Sequence, residues 1–327
     1  MRNTKLWVSF LLATTTLFFP FLLGANSQPL DSSDIQKNQV NQSSNPTCLN
    51  RVNIPEADVH WLYIPDNADE LYSHFDLLWL AGELIISKVV DASSCPAGGI
   101  GSEGYANACG MSLVEPKVVE IQNSFNQTIL DAWVSVGVPP VLLKQMIVYE
   151  SQFWPAFIAP FHYGLGHITP IGMLNALEWD PDLREAACAA SGGSCGVDLL
   201  TANLMLVKLL AICPSCANGI EMDRARQSVK IMAQAVMGYC NQTAQLVFNA
   251  TGWRSASVVD YATIWKLTLM NYNAGSVCVF DTVAATFKDT NGPMSWAEIL
   301  SHVSSDLCRR GAYYANQVTA QAYIFSP

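Results

Sequence analysis

Ten cysteines, at positions 48, 95, 109, 188, 195, 213, 216, 240, 278 and 308, all lie downstream of an apolar N-terminal run, and this arrangement constrains the chain most. Arg2 and Lys5 precede an apolar stretch over 6–23 that contains Pro20, followed by Gly24-Ala25-Asn26-Ser27. A basic start, an apolar middle and a small-x-small site read as a secretory signal, residues 1–27, cut before Gln28. If retained, the run approaches the roughly 20 residues that span a bilayer and would anchor the protein. Export places an even number of cysteines in an oxidising compartment, where a disulfide framework is expected. The predicted location is therefore secreted or extracytoplasmic, in a periplasm or cell wall. Short spacings make Cys95–Cys109 and Cys188–Cys195 plausible pairs, and the remaining connectivity stays open. Cys213-Pro-Ser-Cys216 has the spacing of a redox motif or half a zinc site. It lacks the βαβ context or second ligand pair those need, so a structural staple is expected.

With 50% hydrophobic and 13% charged residues among 327, the chain can build one large or two modest cores, and wholesale disorder is excluded. The net charge of −10 becomes more negative once Arg2 and Lys5 leave with the signal. That balance excludes nucleic-acid partners, which demand a surplus of lysine and arginine. The apolar stretch 199–213 is too short to span a membrane and carries Lys208, so no membrane contact is expected beyond the signal.

Residues 28–47 are polar and lack apolar periodicity, which predicts a disordered linker. The spacing over 68–90 predicts a helix, followed by a glycine-rich loop from Cys95 to Cys109. Gly99-Ile-Gly101-Ser-Glu-Gly104 formally matches a dinucleotide fingerprint, but it follows a helix and lies between cysteines, so it reads as a flexible loop. Val118, Ile121, Phe125, Ile129 and Trp133 predict a helix that Gly137 stops. Pro139-Pro140 restarts the chain, with Leu143, Met146, Ile147 and Glu150 at i, i+3, i+4 and i+7. That spacing puts a carboxylate on an apolar stripe, where burial raises its pKa toward proton donation near neutrality. The alternative is a frayed helix end and a solvated Glu150. Phe153, Trp154, Phe157, Phe161 and Tyr163 follow; such aromatics either stack on sugar rings or form ordinary core.

Three motifs in order carry a resemblance. Glu150-Ser151 with Phe153 and Pro155 comes first, then Gly164-Leu165-Gly166-His167-Ile168, then Tyr272-Asn273-Ala274-Gly275. Over roughly 138–275 the chain resembles the soluble-type lytic transglycosylases, which share the lysozyme-like fold with goose-type lysozymes. The resemblance implies a mainly α architecture, with a lysozyme-like helical domain over 116–327. It also implies a helical, disulfide-stapled insertion at about 204–260, containing Cys213, Cys216 and Cys240, and an N-terminal helical and cysteine-loop extension over 48–115. It implies Glu150 as the sole catalytic acid and base and Tyr272 as the tyrosine that orients it. Ser151, Tyr163, Gly164, Leu165, His167 and Asn273 complete the implied substrate site. Gly166 stands where the motif usually has methionine and His167 where it has glutamine, which implies a wider cleft and an altered substrate hydrogen bond.

The implied reaction is cleavage of the β-1,4 bond between N-acetylmuramic acid and N-acetylglucosamine in peptidoglycan strands, with formation of a 1,6-anhydro ring. It calls for no cofactor and no metal, and a monomer is expected. A goose-type-lysozyme-like hydrolase is the rival enzyme. It requires a second carboxylate, for which Glu178, Asp180, Asp182 and Glu185 are candidates, although they read more simply as a solvated helix start. A non-catalytic glycan-binding protein and a thiol-redox protein on Cys213 and Cys216 are the other readings. His162 and His167 lack a third local metal ligand, so hydrogen bonding to sugar or surface placement is expected. Asn41, Asn126, Asn241 and Asn249 are formal glycan acceptors.

Overall fold

Gly137 and the two prolines after it set the axis of the molecule in this computed structural model, which describes Cys48 and residues 59–190 and 196–320. The expected export signal, the expected 28–47 linker, Asn41 and Cys195 lie outside the described residues. Helix α3 (Asn126–Val136) ends on Gly137 at φ 91°, a left-handed stop. Pro139 then precedes α4 (Pro140–Ser151), with Pro140 at its first position. Every residue of α4 from Pro140 to Val148 is buried. A helix apolar on all sides belongs inside, and α4 is covered by α3, by the turn His60–Leu62 and by α13 (Asp306–Ala320).

Upstream, α1 (Leu78–Ile86) and α2 (Ala108–Asn123) pack on each other across the glycine loop. The helix expected over 68–90 is shorter than its apolar spacing indicates: 68–71 is a separate turn capped by Asn67. The helix expected to run unbroken through Val118 and Trp133 instead breaks at Ser124–Phe125, between α2 and α3. Lys144 of α4 explains where the break falls. Its buried Nζ donates to Leu71 O at 2.5 Å, Asn126 Oδ1 at 2.7 Å and Asn123 Oδ1 at 3.3 Å, drawing both asparagines toward it. As an ammonium it has three hydrogens for these three oxygens, while burial lowers its pKa well below the usual lysine range.

After α4 come a two-residue hairpin, β1 (Phe157–Ile158) and β2 (His162–Tyr163), and three helices, α5 (Pro170–Trp179), α6 (Pro181–Ala190) and α7 (Leu199–Lys208). They bury a small second core around Met173, Leu177, Leu183, Met205 and Leu206. Helix α8 (Met222–Thr251) runs for 30 residues between Glu221, whose side chain accepts from Arg224 N, and Gly252 at φ 73°. The short α9 (Ser255–Val258), α10 (Tyr261–Ala274), α11 (Ser276–Thr290) and α12 (Trp296–Ser301) lead to α13.

The architecture is mainly helical, as expected. Two expected divisions do not hold. The described residues belong to one compact unit, the main core runs from Cys48 to Val318, and a boundary at 115/116 would cut α2. Nor is 204–260 a separate stapled module. Its long helix α8 packs against α3, α5, α10 and α11 and buries fourteen residues, because its apolar positions repeat around more than one face. Its Cys240 bonds to Cys48, outside that stretch. Cys95–Cys109 forms as its spacing indicates, Cys213–Cys216 forms a short loop, and Cys278–Cys308 ties α11 to the start of α13. Cys188 is also disulfide-bonded. Of the formal glycan acceptors described, Asn126 is committed to Lys144 and Asn241 to Cys48 N and Trp179 O, while Asn249 is exposed.

Candidate active site

Glu150 occupies the last turn of α4, at the seam between the two cores. Its side chain is 15% exposed. Burial pushes its carboxyl up to about 7, against a hydrogen bond that favours the charged form. That bond comes from Tyr314, whose hydroxyl donates to Glu150 Oε1 at 2.5 Å. Tyr314 reaches the site because α13 lies very close to α10. A Cβ on Gly311 would stand 2.5 Å from Ala274 Cβ and 3.2 Å from Met270 O, so only glycine allows this approach. Burial, then the neighbouring Glu150 charge, raises the Tyr314 hydroxyl well above the usual phenol range. It therefore stays a donor, and the carboxyl's own proton belongs on Oε2.

On the Oε2 side stands His167, with Nδ1 at 3.6 Å and an 18% exposed side chain. The ring is held between His162, centroids 5.8 Å apart, and Trp79 of α1, 6.0 Å away in edge contact. Its Nε2 is buried without a hydrogen-bond partner among the described residues. Burial first, then His162, lowers His167 to about 4, so it is neutral at neutral pH. Trp79 is itself braced. Trp79 and Trp154 hydrogen-bond to the half-buried Glu83, whose carboxyl burial raises, and Gln152 Oε1 accepts from Trp79 N at 2.8 Å.

The backbone around this pair is strained. Gln152, Phe153 and His167 have φ of 44°, 66° and 50°, each outside glycine's usual monopoly of that region. Such conformations cost roughly 1–3 kcal/mol apiece and persist where packing fixes them. Phe153 is fully buried and stacks on Phe125 at 5.5 Å. Gly164, at φ 67°, lies against Leu209 so closely that a Cβ would meet Leu209 Cβ at 2.5 Å.

The other expected site residues divide. Tyr272 does not hold Glu150. Its hydroxyl donates to Gly166 O at 2.5 Å, bracing the loop, and the orienting contact belongs to Tyr314. The two tyrosine rings stack at 6.5 Å. Ser151 is buried with its hydroxyl on Ile147 O at 3.2 Å, and Leu165 is buried in the main core, so both support the site from behind. Tyr163 packs on the exposed Phe157 at 4.9 Å, next to the exposed Phe161. Asn273 is exposed on α10, while its neighbour Asn271 is buried and donates to Gln242 Oε1 at 2.9 Å. The missing methionine at Gly166 does not widen the site. A Cβ there would lie 2.9 Å from Tyr272 Oη and 3.1 Å from Met232 Sδ, so Met232 of α8 already fills the place.

Of the carboxylates of 178–185, Glu178, Asp182 and Glu185 are exposed. Asp180 caps α6 by accepting from Leu183 N at 2.7 Å. It lines a cavity of about 320 Å³ with Ser135, Lys230 and Asn241, between α3 and α8. Among the described residues no group of three His, Cys, Asp or Glu side chains is placed to hold a metal ion. Sequence reading missed Tyr314, Trp79 and Met232 as site residues. Tyr314 had a signal: Gly311, Tyr314, Ala315 and Val318 form an i, i+3, i+4, i+7 stripe. No family model, curated protein or solved structure matches this chain.

Proposed function

We propose that this protein is an exported lytic transglycosylase that cleaves the N-acetylmuramic acid to N-acetylglucosamine bond of peptidoglycan. The observation that carries the reading is Glu150 itself: a carboxyl that burial raises to about 7, with Oε1 occupied by Tyr314 and Oε2 3.6 Å from His167 Nδ1. In this reading Glu150 gives its proton to the glycosidic oxygen as the bond to C1 breaks. The substrate's N-acetyl group stabilises the developing positive charge. The muramoyl C6 hydroxyl then closes on C1, and its proton returns to the enzyme. The exposed Phe157 and Phe161, with Tyr149 and Tyr313 on the other side, offer apolar faces for sugar rings. The oxidised cysteines are compatible with an extracytoplasmic protein. No helix among the described residues is long and apolar enough to cross a membrane.

Digestion of purified peptidoglycan followed by mass analysis of the muropeptides tests this. Anhydro products, one water lighter than hydrolytic ones and missing with Glu150→Gln, are expected. Ordinary reducing ends would replace the reading with a lysozyme-type hydrolase, and no cleavage would leave a glycan-binding protein.

A further inference from the structure

We propose that His167 is a second catalytic group, the base that receives the nucleophile's proton, so that Glu150 and His167 divide the acid and base roles. The inference rests on the transglycosylase reading above and deepens it. A separation of 3.6 Å between Nδ1 and Oε2 is too long for a direct hydrogen bond, and both side chains keep some exposure, 18% for His167 and 15% for Glu150. Two neighbouring sugar oxygens, the glycosidic oxygen at Oε2 and the C6 hydroxyl at Nδ1, can therefore meet an acid and a base side by side. The fold holds the imidazole at a cost. Its residue adopts φ 50°, its Nε2 is shut away from any partner among the described residues, and Trp79 and His162 border the ring. A histidine placed only to fill space or touch solvent needs none of this.

The charges that face the ring explain how so weak a resting base becomes useful. Glu150 faces it from α4, His162 from β2, and Glu83 stands behind Trp79 on α1. Tyr314 and Tyr272 lie beyond, both held as neutral phenols with raised pKa. While Glu150 is protonated, nothing at Oε2 attracts a proton to Nδ1. Once Glu150 has given its proton to the leaving oxygen, a carboxylate stands beside Nδ1, and opposite charge at that range favours the imidazolium. The base therefore gains strength only after the acid has acted. The step balances as follows. The C1–O bond breaks as Oε2–H passes to the leaving oxygen. The C6 oxygen bonds to C1 and its hydrogen goes to Nδ1, while Nε2 keeps its own. Nδ1–H then returns the proton to Oε2, restoring both groups with no outside reagent.

The test compares kcat/KM against pH for wild type, His167→Gln and His167→Asn, with peptidoglycan as substrate. Wild type is expected to lose activity on the acid side near pH 4, as Nδ1 takes a proton beforehand, and on the alkaline side near pH 7, as Glu150 loses its own. Both variants should fall about 100-fold, the lower range for removing a general base. They should keep the alkaline limb and lose the acid one, since Glu150 must then act alone. A wild-type acid limb retained in both variants overturns the proposal. Asparagine tolerates positive φ, so it guards against misfolding of the glutamine variant. A second arm needs no substrate: the ring ¹⁵N shifts of His167 are titrated in wild type and Glu150→Gln. An inflection near pH 7 that disappears in the variant is expected, and its absence in wild type also overturns the pair. If wild type cleaves no peptidoglycan but shows the inflection, the transglycosylase reading fails while the coupled pair stands.

Discussion

Helix α4 buries two ionisable side chains, and only one of the two is fully answered. Lys144, in the middle of the helix, is 1% exposed and has an oxygen for each of its hydrogens. Glu150, two turns on, has one strong donor on Oε1 and a long approach to His167 on Oε2. A buried polar group whose bonds are complete fixes structure, because breaking any one leaves an orphan that costs more than the bond contributes. A buried carboxyl with one oxygen free is costly to ionise and available for chemistry. Burial alone therefore does not mark a functional residue. Burial combined with incomplete satisfaction does.

That contrast can be broken by exchanging stability against activity. The largest effect is expected from Glu150→Gln, which should lower glycan cleavage by roughly 10²–10⁴-fold, the range for a general acid. Its stability should move the other way with pH. Between the ordinary 4.5 and about 7, folded Glu150 holds a proton that the unfolded chain has lost. The contribution of Glu150 to wild-type stability is thus greatest below pH 4.5 and is lost as pH rises through 7, about 3 kcal/mol for a shift of this size. Urea melts at pH 4 and 8 should show the variant gaining on wild type only at the higher pH. Lys144→Met is the mirror case, expected to cost about 2–5 kcal/mol in the same melts by leaving Leu71 O and Asn126 Oδ1 without their Lys144 donor, while the alkaline limb of activity stays in place. If Glu150→Gln instead destabilised the protein as much as Lys144→Met, the distinction between the two side chains would collapse.

Smaller changes sharpen the contrast at the Oε1 side. Gly311→Ala forces α13 off α10 and should cost about 1–3 kcal/mol by overpacking, with Tyr314 drawn away from Glu150. Tyr314→Phe should cost about 1 kcal/mol of stability by thermal melting. Because the hydroxyl favours the carboxylate, its removal also moves the alkaline limb of activity upward in pH. An unmoved limb would mean that Tyr314 is packing only.

Legibility in the sequence follows the range of the interactions. Gly137, Pro139-Pro140 and the spacing from Leu143 to Glu150 specify α3, its stop and α4 through local backbone preferences, and they appear as read. The break at Ser124–Phe125 was not legible. It depends on Lys144, some twenty residues along, pulling Asn123 and Asn126, and a periodic apolar pattern runs straight through it. The same holds for α8. Cys213, Cys216 and Cys240 looked like staples of an insertion, but Cys240 of α8 pairs with Cys48 at a sequence separation of 192, which no spacing rule reaches.

The site divides along the same line. By itself the sequence determined that a carboxylate falls on the apolar stripe at a helix end, that aromatic and glycine-rich segments follow it, and that ten cysteines lie downstream of an apolar N-terminal run. Those are consequences of periodicity, turn chemistry and composition, each read within a few residues. Only the tertiary structure decided which tyrosine holds Glu150, where the side chain absent at Gly166 is replaced, and that His167 meets Oε2. Each depends on the distance between two helices or loops far apart in the chain. Gly311 against Ala274 and Gly166 against Met232 are contacts of a few ångströms, and such distances exist only after the cores have packed.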